Sequence, residues 1–122
     1  MQAVMREALG STNVPTDPRA PILSYVERHR SELIEIASLD RPLTKAQFEA
    51  TVGFWGPDHN GMEVLIPAAR FQSEFAGHEL LMRAVRNAGH ARTEGGRKPK
   101  LTIKTPRTIC ADGRVYCVQL GL

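Results

Sequence analysis

At 122 residues, 24% charged and 42% hydrophobic, the chain is long enough for one packed core and too short for two. It has no apolar run near the roughly 20 residues of a membrane span, no basic segment leading into an apolar export signal, and only two cysteines, so a cytoplasmic, reducing setting without a disulfide scaffold is expected. The net charge of +3 is modest, but it is unevenly distributed along the chain.

Met1–Leu9 has a weak helical pattern that Gly10-Ser-Thr-Asn stops, and Pro15, Pro18 and Pro21 follow in a stretch rich in turn formers. Residues 1–19 therefore read as a flexible segment or linker, and residues 20–122 as the folded domain. From Ala20 an amphipathic helix begins with Pro21 in its first turn. Ile22, Tyr25, Val26, Leu33 and Ile36 fit helical spacing, although a break near His29–Ser31 would leave Leu33–Ala37 as a short strand. Ser38–Pro42 is a loop, and Thr44 can cap a short helix through Glu49 and Ala50, with Ala46 and Phe48 available for the core. Thr51–Trp55 and Met62–Ile66 flank a Gly/Pro/Asn/Asp cluster ending in Asn60-Gly61, a strong hairpin signal.

The chain then runs into Pro67–Gly77, where Phe71 and Phe75 are four apart and share a helical face. In the next piece, His78–Gly89, Leu81, Val85 and Ala88 share a face with Ala84, while Arg83, Arg86 and Asn87 project elsewhere. Gly77 permits a sharp turn between the two helices, and Gly89 suits the residue just past a helix end. Beyond it, Lys100–Thr105 and Val115–Leu120 are strand-like, and the latter could pair with the former or with Arg107–Cys110. Pro106 argues against one unbroken strand through both of those partners. Two short helices about a tight turn, followed by a basic hairpin, is the plan of a winged helix-turn-helix. Charge agrees with that plan: residues 1–66 carry six Lys/Arg against nine Asp/Glu, and residues 67–122 ten against four. A basic half of this kind attracts polyanions through phosphate neutralisation and counterion release.

Enzymatic constellations fail on inspection. Gly95-Gly96-Arg97-Lys98 lacks the spacing of a phosphate-binding loop and a following helix, and reads as a basic wing tip. His29, His59, His78 and His90 show no metal-ligand spacing with one another or with the cysteines. With Asp112-Gly113 as a two-residue turn, Cys110 would face Val115 and Cys117 would face Thr108. The two sulfurs would then be diagonal neighbours, too far apart for an easy disulfide. Phe54 and Trp55 could stack on bases, though core use is the simpler role for two of only seven aromatics.

Gly53-Phe54-Trp55 and Asn60-Gly61-Met62-Glu63-Val64-Leu65-Ile66-Pro67 lead into a helix with Phe71 and Glu74. Gly77-His78, a helix ending Asn87-Ala88-Gly89, a basic segment and Arg114-Val115-Tyr116 complete the order. Over roughly residues 50–122 this resembles the C-terminal domain of primase-helicase-type ATPases carried by phages, plasmids and other mobile elements. It is also similar in layout to the C-terminal winged-helix domain of some conjugative relaxases. The wing, Arg92 to Arg114, is long for the pattern. In such proteins the ATP-hydrolysing or nicking residues lie upstream, so the resemblance implies a non-catalytic accessory domain without a cofactor.

The expectation is thus an α+β winged helix-turn-helix with an N-terminal helix, a β-hairpin and a basic C-terminal wing. It would bind nucleic acid, DNA in double- or single-stranded form, with Arg83, Arg86 and Asn87 on the recognition helix. Arg92, Arg97, Lys98, Lys100 and Lys104 would line the wing against backbone phosphates. Expected partners are DNA and the catalytic domains of a larger protein, with no membrane. An exposed hairpin edge could also pair across a homodimer. The rival reading is a protein-docking or oligomerisation module of the same fold.

Overall fold

The computed structural model describes residues 17–58, 61–95 and 100–120. Among the described residues four helices pack around one six-stranded mixed sheet, an α+β arrangement. In chain order these are α1 (Ala20–Arg28), β1 (Ile34–Glu35), α2 (Lys45–Glu49), β2 (Phe54–Asp58) and β3 (Gly61–Pro67). Then come α3 (Ala68–Glu74), α4 (His78–Asn87), β4 (Ala91–Arg92), β5 (Ile103–Lys104) and β6 (Arg114–Gln119). Of the expected linker, residues 1–16 lie outside the described residues. Arg19 donates to the backbone carbonyls of Gln119 and Leu120 at 3.0 Å, which ties the start of α1 to the end of β6.

Local sequence accounts for most of the boundaries. α1 carries Pro21 in its first turn, buries Ile22 and Tyr25, and stops at His29, whose N–H still bonds the Tyr25 carbonyl. A 3-10 turn over Arg30–Glu32 then leads to β1, so the break near His29–Ser31 is real. α2 carries a reciprocal capping box: the Gln47 N–H donates to Thr44 Oγ1 at 3.2 Å, and the Thr44 N–H donates to Gln47 Oε1 at 3.0 Å. Phe48 is buried from this helix, whereas Ala46 is exposed. The expected hairpin forms three residues further along than its first strand suggested, with Phe54 opposite Leu65 and Asp58 opposite Gly61.

The strand order is β1-β2-β3-β6-β4, parallel at β1–β2 and antiparallel elsewhere. β5 joins the same edge of β6 as β4: Arg92 lies opposite Cys117 and Ile103 opposite Val115. Between them, Glu94 and Lys100 form an isolated antiparallel bridge. Val115–Leu120 thus takes Lys100–Thr105 as its short neighbour and β3 as its long one, and Arg107–Cys110 as neither. Pro106 has no N–H to continue a ladder, and its carbonyl instead accepts from Ile109 at 2.9 Å and Cys110 at 3.1 Å. The two-residue turn expected at Asp112-Gly113 is therefore replaced by a larger excursion. Cys110 packs on the sheet rather than opposite Val115, and Cys117 lies opposite Leu65, not Thr108. Both thiols are free and buried.

Both faces of the sheet are covered, which explains why Val115–Val118 is apolar at every step bar the tyrosine hydroxyl. Tyr116 and Val118 face α1, α3 and α4 together with Val64, Ile66, Phe71 and Val85. Val115 and Cys117 face α2 and the Ile109 turn together with Phe48, Phe54 and Leu65. Gly77, at φ 67, turns the chain between α3 and α4 in a left-handed conformation.

α4 is rotated relative to the expected face. Met82 and Val85 are buried and Leu81 half-buried, but Ala84 and Ala88 are exposed. His78, Leu81, Met82 and Val85 form the i, i+3, i+4, i+7 stripe, and a methionine fills the seat that two alanines would have left loose.

Candidate nucleic-acid interface

The rotation of α4 decides which of its polar residues reach solvent. Arg83 and Asn87 lie on the outer stripe with Leu80, the one large hydrophobic residue exposed among the described residues, at 74%. Arg83 reaches back one turn to Glu79 at 3.3 Å, an exposed pair worth only tenths of a kcal/mol and readily exchanged for a phosphate. Arg86 sits at the edge of the buried stripe, half-buried, with a long 3.5 Å hydrogen bond to Asn87 Oδ1. The helix ends in a pair of bonds from Gly89 N–H to the Arg86 carbonyl and from His90 N–H to the Val85 carbonyl. These fix the exit of the chain into β4.

Arg92 departs from its expected role. It points to the sheet face opposite α4, where its guanidinium lies 3.2 Å from the buried carboxylate of Glu63. The Cys117 thiol donates to the other Glu63 oxygen at 3.4 Å. Burial, with the Glu63 charge beside it, pushes the Cys117 thiol up to about 12, so it stays protonated and unreactive. Arg92 is thus the counter-ion of an internal carboxylate before it is a wing cation.

The outward segment after β4 keeps a small polar network. Arg114 Nη2 pairs with Glu94 Oε1 at 2.7 Å, Arg114 Nε donates to Thr102 Oγ1 at 2.7 Å, and the Lys104 N–H donates to Glu94 Oε2 at 3.1 Å. The hydrogen bond from Arg114 holds the Glu94 carboxyl below its ordinary range. Lys100 and Lys104 are exposed, and neither side chain has an ion-pair partner among the described residues. Arg97 and Lys98 lie outside the described residues.

Arg107 is a cation that reasoning from motifs passed over. It follows Pro106 in the excursion, is exposed, and stands with Lys104 and Arg114 around a recess of about 570 Å³ between residues 104–107 and 111–114. The only available signal was a positive charge directly after a strand-ending proline.

The aromatic pair of β2 is split by the sheet. Phe54 is fully buried and cannot stack on a base, whereas half-buried Trp55 walls an apolar groove of about 440 Å³ against Leu23, Val26 and Met62. Among the described residues no group of three or more His, Cys, Asp or Glu could hold a metal ion, and no helix is long and apolar enough to cross a membrane. Comparison with family models, with curated protein sequences and with solved structures finds no match, so the functional reading rests on geometry and charge.

Proposed function

We propose that the chain is a non-catalytic nucleic-acid-binding domain, with DNA as its ligand, built as a winged helix-turn-helix around β3, α3, α4, β4 and β6. The observation that carries the reading is a juxtaposition. The outer stripe of α4 offers Arg83 and Asn87, and the adjoining segment through β5 offers the exposed Lys100 and Lys104. The connection supports it: α3 and α4 meet at left-handed Gly77, and β3, β6 and β4 lie side by side in the order such a domain uses. In this reading α4 enters a groove, the segment 93–104 follows the phosphate backbone, and the domain serves a mobile-element replication or transfer protein.

A second reading, protein docking, is favoured by exposed Leu80 and by the Trp55 groove. Paired substitutions separate the two. Lys100→Ala with Lys104→Ala should weaken binding to every duplex alike and reduce the log–log salt slope by about two, at roughly 0.9 per phosphate. Arg83→Ala with Asn87→Ala should cost about 1–3 kcal/mol on a selected sequence and little on random DNA. Equal losses for both pairs would mean binding through phosphates alone, without base readout. No measurable DNA binding by the unaltered chain at low salt would point to docking instead.

A further inference from the structure

The recess at the β5–β6 excursion has features that packing does not explain. Thr105 forms part of its wall and is 6% exposed, yet its hydroxyl has no hydrogen-bond partner among the described residues. A buried hydroxyl left unpaired destabilises the fold, and the same space would accept a valine. Lys104 and Arg107, on the rim, have no ion-pair partner among the described residues either. Arg114 contributes a third cation, already engaged by Glu94 at 2.7 Å.

Charge selects the ligand. The lining holds three cations, Lys104, Arg107 and Arg114, against Asp112, and Glu94 behind Arg114 removes one more charge. The remaining single positive charge matches a phosphodiester better than a phosphate monoester, which carries about −1.5 to −2 at neutral pH. Lys104 belongs both to this recess and to the basic segment of β5, so a backbone running along that segment passes the recess.

We infer that this recess seats one backbone phosphodiester of the bound nucleic acid, with Arg107 and Lys104 as charge partners. The inference rests on the nucleic-acid reading and adds to it a fixed anchor point away from α4.

The test uses the full chain and a fluorescently labelled random-sequence duplex, with anisotropy followed across a KCl series. Arg107→Ala should shallow the log–log salt slope by about one, and Arg107→Lys should restore it. Inorganic phosphate at matched ionic strength should not displace the duplex; displacement would make free phosphate the ligand and overturn the phosphodiester assignment. If Arg107→Ala binds like the unaltered chain while Lys100→Ala is impaired, the recess inference is wrong and the nucleic-acid reading stands. If the unaltered chain binds no DNA at low salt, both fall.

Discussion

Phe71→Ala is expected to lower the unfolding free energy by about 3–5 kcal/mol, read as a shift in the urea midpoint at unchanged slope. Phe71 is fully buried at the point where α3 meets the sheet. Its ring stacks on Tyr116 at 4.2 Å between centroids and leans on Phe75 at 4.6 Å, so removal opens a cavity lined by two rings that cannot both move in. Tyr116 is also held from the outside by Gln72, whose amide donates to its hydroxyl at 3.1 Å, which limits collapse further. Leu80→Ala is the control: an exposed truncation on α4 should change stability by no more than about 0.5 kcal/mol. A Phe71→Ala loss below about 1 kcal/mol would mean that α3 does not pack as described.

Gly113→Ala is expected to be strongly destabilising. Gly113 has φ 104, and a Cβ built there lies 2.8 Å from Cε2 of Phe48. Phe48 has no room to yield, because it is 2% exposed and stacked against Phe54 with the rings 12° apart. Backbone strain and overpacking together give an expected loss of about 2–4 kcal/mol. Gly77→Ala isolates the first cause: φ is 67, but nothing lies within 4 Å of its Cβ position, so about 1–2 kcal/mol is expected. Equal costs at the two positions would refute the steric part of the argument. The contrast also bears on function, since Gly113 closes the excursion that carries Arg107 and accepts the Thr105 N–H at 3.2 Å.

The features legible in the sequence are those whose cause is local. The Thr44 cap, the stop of α1 at His29, the hairpin before Pro67 and the left-handed Gly77 and Gly89 each follow from a few adjacent residues. The face of α4 was less legible because its ten residues offer several apolar stripes, and only the tertiary partner decides between Met82 and Ala84. Long-range pairings leave no local signal. Arg92 looks like any wing cation until the sheet brings Glu63 beside it, and Glu63 meets Cys117 across 54 residues of sequence. The excursion after Pro106 belongs to the same class, held as it is by the Leu43 N–H on the Ile109 carbonyl at 2.7 Å. Of the expected site residues, Arg83, Asn87, Lys100 and Lys104 keep accessible positions, Arg86 is half-buried and Arg92 is spoken for by Glu63.

The central claim is that the basic half meets phosphates, and the most direct measurement is the dissociation constant of the intact chain for duplex DNA as a function of KCl. Lys100, Lys104 and Arg107 alone predict a log–log slope of about −3, at roughly −0.9 per neutralised phosphate. Tight binding at low salt that fades along such a line is the predicted result. Binding that is absent at low salt, or independent of salt, would contradict the account.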